Sequence, residues 1–203
     1  MKNSVSKLGI FRKLGMSRIF NDKGKAIPIT VLKLEKSAVI NPDETNPNFI
    51  VAFYTKNKIN QATQGALKKN KIEDKFSKFI SFRKTDKFNF KNGDELKIDQ
   101  FSPGEKVYAV STSKGKGFSG VIKRHSFSRG PETHGSQHHR SPGSIGSMFP
   151  QRVVAGKKMP GRMGATKTTI KNLTIIDKDE KNNLLVVSGS VAGPNKCLVY
   201  ILQ

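Results

Sequence analysis

A long internal stretch with almost no apolar surface constrains the fold of this chain more than any other feature. Residues 112–167 contain eleven Lys and Arg, ten Gly, four Pro and all four His of the protein, and their only acid is Glu132. No apolar run within them is long enough to predict a core strand or an amphipathic helix. Burial inside the stretch therefore cannot offset the entropy lost on ordering it. This basic stretch, residues 112–167, is either disordered or ordered by a partner with dense negative charge.

The charge of the whole chain favours the same class of partner. The 203 residues include 37 Lys and Arg against 15 Asp and Glu, a net charge of +22, and only 35 % are hydrophobic. A surplus of this size opposes compaction and favours a polyanion, either nucleic acid or an anionic membrane. Membrane is the weaker alternative because no apolar run approaches the roughly 18 residues of a spanning helix. The N-terminus lacks the apolar core of a signal peptide, although its basic character leaves an organellar presequence open.

The residues on both sides of the basic stretch predict a mostly β domain. Apolar and β-branched runs bounded by turn residues are typical of strands. These runs are 7–20, 26–34, 37–40, 49–54, 94–101, 105–111, 169–176, 184–188 and 197–202, with turns predicted at 21–24 and 41–48. The simplest architecture is one small, mostly antiparallel β-barrel body, built from 1–111 and 168–203, from which the basic stretch is a long excursion.

Residues 57–92 predict a small helical insert on this body. Residues 57–71 are polar and mildly helical, and the apolar residues that follow recur at spacings suited to one face of a short helix. These apolar residues are Ile72, Phe76, Phe79 and Ile80. The lysines of the insert are interpreted as solvated, and a second nucleic-acid-contacting surface is the alternative. Three further aromatic residues, Phe82, Phe88 and Phe90, are interpreted as core or interface residues.

A glycine motif in the basic stretch has an enzymatic alternative. Residues 115–120 read G-x-G-x-x-G after a predicted strand. A dinucleotide site also needs a following helix and an acid about 20 residues later, where this chain has His138, His139 and Arg140. We interpret these glycines instead as positions of close backbone approach, with the neighbouring lysines free to meet phosphates.

Metal-binding and catalytic functions have little support in the sequence. His134, His138 and His139 are close enough in sequence to suggest a metal, but only Glu132 and no Cys accompanies them. Imidazoles that contact RNA are the favoured interpretation. The chain has no nucleophile elbow, no H-E-x-x-H and no P-loop. We therefore predict no catalytic residue, no metal and no cofactor; an RNA-directed activity of the His cluster is the enzymatic alternative.

The single cysteine, Cys197, excludes an internal disulfide and a Cys-rich zinc site. It lies in the apolar run 197–202, where we expect it to be a small core residue. A reducing compartment fits this cysteine usage.

Several separate motifs occur in a characteristic order along the chain. They are LGMSRIF at 14–20, TSKGKGFSG at 112–120, VIKRHSF at 121–127, THG at 133–135, HR at 139–140, PGSIG at 142–146 and GKKMPGRMG at 156–164. In identity, order and spacing they resemble the signature of the bacterial-type large-subunit ribosomal protein L three family.

This resemblance implies a translation-protein-type β-barrel body with a long irregular basic extension running into ribosomal RNA toward the peptidyl-transferase centre. It implies a non-enzymatic structural constituent of the large subunit that binds ribosomal RNA, supports assembly and contacts neighbouring ribosomal proteins. No small-molecule substrate and no membrane partner are expected. The implied location is cytoplasmic, in the ribosome, or in an organellar ribosome. A free-standing RNA-binding protein or RNA chaperone outside the ribosome is the alternative.

The candidate RNA-binding residues are basic and imidazole side chains of the basic stretch. The resemblance places ten of them in the RNA-embedded part: Lys114, Lys116, Lys123, Arg124, His134, His139, Arg140, Lys157, Lys158 and Arg162. Four others share their charge or chemistry and are included: Arg129, His138, Arg152 and Lys167. We also expect β-branched substitution of Gly117 or Gly146 to harm assembly more than removal of an exposed Lys from 57–71.

Overall fold

The chain divides into two compact units. The computed structural model describes residues 4–40, 48–84 and 90–203, without the side chains of Ser4, Val5 and Lys84. The barrel unit comprises Met1–Thr112 and Lys167–Gln203, and the loop unit comprises Ser113–Thr166.

The barrel unit contains ten strands and two short helices within its described residues. Its strands are β1 Ser4–Val5, β2 Leu8–Phe20, β3 Ala26–Leu34, β4 Ser37–Ile40, β5 Asn48–Thr55, β6 Phe76–Lys84, β7 Lys106–Thr112, β10 Lys167–Asp179, β11 Leu184–Ser188 and β12 Leu198–Leu202. The α-helix α1 spans Gln61–Lys69, and a 3₁₀ helix spans Ile98–Gln100. The loop unit contributes β8 Phe118–Ser119, α2 Val121–His125 and β9 Gly161–Arg162.

Six of these strands close into an antiparallel barrel in the order β10-β11-β3-β2-β12-β7. Apolar side chains from all six strands, such as Phe11, Leu32, Val107, Ile175 and Val187, fill its interior. Along β7 the alternation is explicit, since Val107 and Ala109 belong to the interior cluster while Tyr108 and Val110 belong to a second cluster. The prediction of a mostly β fold with a barrel body is confirmed.

A second sheet, with the order β1-β6-β5-β4, packs on the outside of the barrel. One face contributes Val39, Phe49 and Val51 to a cluster shared with the barrel residues Ile10 and Val110. The opposite face is covered by α1, whose Leu67 packs with other buried apolar residues of the sheet, Ala38, Ile40, Ala52 and Phe76. The sequence had predicted these strands as part of a single barrel, and the separate sheet was not anticipated.

The turn predicted at 21–24 is confirmed. The Gly24 N–H donates to the Asn21 carbonyl at 2.8 Å, and Asn21 Oδ1 accepts from the Lys25 N–H at 2.8 Å. Gly24 has φ +72°, a conformation that favours glycine. This turn joins β2 to β3 and fixes the register in which Phe20 lies opposite Ala26.

Two local predictions are wrong. Among the described residues of the insert 57–92, only Gln61–Lys69 is helical, and Phe76–Lys84 is strand β6. It is a strand because it pairs along the length of β5 and gains backbone hydrogen bonds there. The spacing of its apolar residues fits a strand as well as a helix. Residues 94–101 form the 3₁₀ helix and loop, since Ile98 and Phe101 both insert into the barrel interior.

The predicted core or interface role of Phe82 and Phe90 is confirmed, since both pack against the cluster between sheet and barrel. Phe88 and most of the predicted turn at 41–48 lie outside the described residues. Cys197 is half-buried and packs against the barrel core, as expected.

Candidate nucleic-acid interface

The loop unit is ordered at its base by its own backbone and without a hydrophobic core. The Lys116 N–H donates to the Met163 carbonyl, and the Met163 N–H donates to the Gly117 carbonyl, both at 2.9 Å. Strands β8 and β9 continue this pairing, with Phe118 opposite Arg162. The two limbs of the loop unit, residues 113–125 and 159–166, therefore run side by side as a narrow ladder. The low apolar content of the basic stretch does not predict this pairing.

Glycine allows the two limbs to lie this close. A Cβ added to Gly164 would lie 2.0 Å from the Lys114 carbonyl oxygen, and one added to Gly161 would lie 2.7 Å from Arg124 Nη1. Gly164 also has φ +75°. Of the glycines predicted for close approach, only Gly115 takes part, since its Cα would lie 3.2 Å from a Cβ on Gly164, whereas Gly117 and Gly120 have open space around a Cβ. Gly117 and Gly146 have open space around a Cβ, so no clash within the chain requires glycine there, although Gly117 has φ +66°.

Helix α2 fastens the two limbs together. Arg124 Nη1 donates to the Met159 carbonyl at 2.7 Å, and His125 Nε2 lies 3.1 Å from the same oxygen. Val121 at the start of the helix is buried, and Ser126 ends it in the left-handed conformation. Cations in the last turn suit the negative end of the helix dipole. Arg124 therefore holds the loop unit in shape in addition to offering charge.

A second closed segment lies farther along the loop unit. The Gly130 N–H donates to the His139 carbonyl at 3.1 Å, and His139 Nδ1 lies 2.7 Å from the Pro131 carbonyl. Arg129 forms an ion pair with Glu132. The imidazole of His139 thus contacts a backbone carbonyl of the chain itself. Glu132, the one acid of the basic stretch, is paired with Arg129.

Most of the predicted site residues face solvent. Those exposed in the loop unit are Lys114, Lys116, Lys123, Arg129, His134, His138, Arg140, Arg152, Lys157, Lys158 and Arg162. Arg124 and His139 are partly buried, and Lys167 is exposed at the start of β10 in the barrel unit. Except for Arg129, no exposed cation of the loop unit has a side-chain partner within the described chain. These unpaired charges are available to phosphate groups.

Large apolar side chains are exposed between these cations. Phe118 and Met148 are 79 % exposed and Phe149 is 70 % exposed, and Ile145, Val153 and Val154 are also exposed. Apolar and aromatic surface interspersed with cations suits contact with nucleic-acid bases and sugars as well as phosphates. The sequence shows that these residues are apolar, but it does not show that the fold leaves them uncovered.

Within the described residues, no three His, Cys, Asp or Glu side chains cluster in a way that could bind a metal ion. His134, His138 and His139 therefore do not form such a group. No helix among these residues is both long and apolar enough to cross a membrane.

Two structural roles were missed by sequence reasoning. His125 was not a candidate, yet it contacts Met159 and packs against Phe127 with ring centroids 6.2 Å apart. In the loop unit, Gly164 and Gly130 are the glycines at which a Cβ would clash with backbone atoms, at 2.0 and 2.2 Å. Sequence periodicity carries no signal for either role, because the partners are 8 to 50 positions away.

A closed barrel whose chain continues into an exposed, basic loop unit indicates a structural nucleic-acid-binding protein. The comparisons identify the family within that class. The family model described as "Ribosomal protein L3" matches residues 83–182. The chain belongs to this family, and the resemblance found in its motifs is confirmed.

Relatives extend the match over nearly the whole chain. The large ribosomal subunit protein uL3 of Solibacter usitatus is 42 % identical over 199 residues, covering 94 % of this chain and 94 % of the relative. The uL3 protein of Oceanobacillus iheyensis is 40 % identical, covering 94 % and 93 %. The protein uL3c of Emiliania huxleyi is 44 % identical, covering 95 % and 97 %.

Proposed function

We propose that this chain is a structural constituent of the large ribosomal subunit and not an enzyme. The observation that carries this function is identity near 40 % with large-subunit proteins over more than nine-tenths of both chains. Its partners are large-subunit ribosomal RNA and neighbouring ribosomal proteins. Its location is the ribosome of the cytoplasm or, given relatives of the uL3c type, of an organelle.

The loop unit is the proposed RNA-binding element. Except for Arg129, its exposed cations have no side-chain partner in the described chain, and crowded RNA helices need cations to offset phosphate repulsion. Its glycines and narrow ladder give a slender shape that can enter the space between helices. Exposed Met148 and Phe149 add apolar contact to the charge contacts. In this proposal the barrel anchors the base of the loop unit, which braces RNA near the peptidyl-transferase centre and supports assembly.

Binding to large-subunit ribosomal RNA as a function of salt tests this assignment. Thr112 lies directly opposite Lys167 in the β7–β10 ladder. Residues 113–166 can therefore be replaced by a two-residue Asn-Gly turn that leaves the barrel register unchanged. Circular dichroism and thermal unfolding serve as the control that the barrel survives the deletion.

We expect the deletion to remove most of the affinity and to reduce the slope of log K against log[salt]. Each phosphate contact contributes about 0.7 to the slope for single strands and about 0.9 for a duplex. Loss of at least four contacts would lower the slope by roughly 3. Unchanged affinity and slope would contradict the role of the loop unit. Stoichiometric co-sedimentation of the full chain with large subunits separates a ribosomal constituent from a free-standing RNA chaperone.

A further inference from the structure

A large groove lies in the barrel unit, between the outer face of the barrel and the edge of the second sheet. Its volume is about 1030 Å³, at the upper limit of cavities that hold small ligands. Val110, Tyr200 and Leu202 of β7 and β12 line it from the barrel side. Ile80 and Phe82 of β6 line it from the sheet side. The groove thus has an apolar and aromatic lining formed by two different sheets.

Four cations line the same groove. They are Arg83, Lys106, Lys167 and Lys171, all exposed. The described lining residues include no Asp and no Glu. None of the four cations makes an ion pair with a described residue, whereas Lys7, Arg12, Lys36 and Lys178 elsewhere in the barrel unit do. The groove therefore has uncompensated positive charge above an aromatic lining.

Local backbone geometry directs part of this charge into the groove. The register of β10 on β7 shifts between Ile170 and Leu173, and the residues in the shift are Lys171 and Asn172. Asn172 has φ +58° in the left-handed region. A bulge of this kind changes the direction of side chains and is common beside binding sites. Both residues of the bulge line the groove.

The aromatic lining is fixed in place and neutral. The Tyr200 ring meets Phe82 and Phe53 edge to face, with centroids 5.9 and 6.3 Å away. Burial raises the pKa of Tyr200 and of Tyr108 above its ordinary value. Both phenol groups are uncharged at neutral pH and add no negative charge to the groove.

We propose that this groove binds an unpaired segment of ribosomal RNA, with its bases against the aromatic lining and its phosphates on the four cations. The proposal rests on the function proposed above and adds a second contact, separate from the loop unit. Single-stranded RNA is the occupant whose chemistry matches both features, since its bases stack on aromatic rings and its backbone needs cations. An acidic protein segment would use the cations and leave the aromatic lining without a stacking partner.

The first experiment compares two charge-matched double variants of the full chain in binding to large-subunit ribosomal RNA. The groove variant is Lys106→Ala with Lys171→Ala. The control variant is Lys23→Ala with Lys97→Ala, which removes two exposed lysines outside the groove. We expect the groove variant to reduce the slope of log K against log[salt] by about 1.4 and the control variant to leave it unchanged. Equal slopes for the two variants, with normal binding by the unaltered chain, would overturn the groove proposal alone. No binding by the unaltered chain would overturn the proposed function as well.

The second experiment identifies the occupant in assembled subunits. Ser81 is exposed and lines the groove, so a photoreactive phenylalanine analogue can replace it without removing a cation. The same analogue at Lys23 is the control. We expect irradiation of reconstituted large subunits to join position 81 to ribosomal RNA. Cross-linking to a protein, or no cross-link above that of the control, would show that RNA does not fill the groove.

Discussion

Arg124 Nη1 donates to the carbonyl of Met159 at 2.7 Å, across 35 positions of the chain. The guanidinium thus bridges the two limbs of a unit that has almost no hydrophobic core. A hydrogen bond from a charged group contributes about 1.5–3 kcal/mol. In the loop unit such bonds replace the apolar packing that orders an ordinary domain.

Arg124→Ala should loosen the two limbs. We expect backbone amides of β8 and β9 to exchange hydrogen at least about tenfold faster, because about 1.4 kcal/mol corresponds to tenfold in the opening equilibrium. Hydrogen exchange measured by mass spectrometry checks this. Lys123→Ala is the control, since Lys123 is exposed and its substitution removes one positive charge at the neighbouring position. Equal exchange in the two variants would mean that the bond to Met159 is not needed for order.

Gly164→Ala should disrupt the base of the loop unit. The new Cβ would lie 2.0 Å from the Lys114 carbonyl oxygen, and the backbone would be held at φ +75°. The left-handed conformation alone costs about 1–2 kcal/mol for a residue with a Cβ, and the clash adds to it. Incorporation into large subunits, measured in sucrose gradients, should fall sharply.

Two other glycines separate the causes of that effect. Gly117→Ala has the same conformational cost, at φ +66°, but open space around the Cβ, and Gly146→Ala has open space without the positive φ. We expect an intermediate defect for Gly117→Ala and none in the fold of the free chain for Gly146→Ala. A defect at Gly146 that appears only in subunits would indicate close contact with RNA.

The barrel was predictable from sequence because its strands carry strong local signals. The bounds of β3 and β11 follow directly from runs of apolar and β-branched residues between turns, and the same holds for β4 in the second sheet. Strand β6 was mistaken for helix because its apolar spacing fits both periods, and only pairing with β5 decides between them. Closure of the barrel and separation of the second sheet depend on contacts between distant residues, which no local pattern encodes.

The candidate interface was predictable in composition but not in geometry. Charge density alone located the cations of the basic stretch, and the structure leaves most of them exposed. Arg124 and His139 differ from the rest because they bond carbonyls 35 and 8 positions away. The groove cations Lys106 and Lys171 were missed because they lie on separate strands, with no charge cluster in the sequence.

Glu105 should make barrel stability depend on pH. Burial alone would raise the pKa of its carboxyl group, but the ion pair with Lys7 and the hydrogen bond from the Ser102 N–H outweigh it and lower the pKa below 4.5. A lowered folded-state pKa gives stability that is present above the unfolded pKa and lost as pH falls through the folded value. We expect Glu105→Gln to cost about 1 kcal/mol above pH 5, as for a partly exposed ion pair.

Urea unfolding at several pH values checks this prediction. The stability difference between the chain and Glu105→Gln should shrink as the pH falls from about 5 toward 3. Glu73→Gln is the control, since Glu73 is exposed and has no ion pair within the described residues. A difference that stays constant over this range would argue against the contribution of the charged Glu105 carboxylate.

Lys13 stabilises one end of the barrel through its buried charge. Only 5 % of it is exposed, and its Nζ donates to the carbonyls of Val191 at 2.7 Å and Gly193 at 3.3 Å. Lys13→Met keeps most of the side-chain stem but leaves these carbonyls without their donor. We expect a loss of about 2 kcal/mol in the free energy of unfolding, as for other buried hydrogen bonds to charged groups.

Chemical unfolding of Lys13→Met and Lys33→Met provides the comparison. Lys33 lies on β3, is exposed and has no side-chain partner in the described chain, so its substitution should change stability by less than about 0.5 kcal/mol. If both variants unfold at the same urea concentration, the free energy gained from the hydrogen bonds of Lys13 to the two carbonyls only offsets the cost of removing its ammonium group from water. If only Lys13→Met is destabilised, Lys13 holds the segment 191–193 on the barrel. Lys13 is then one cation of the net charge of +22 that stabilises the fold and is not available to RNA.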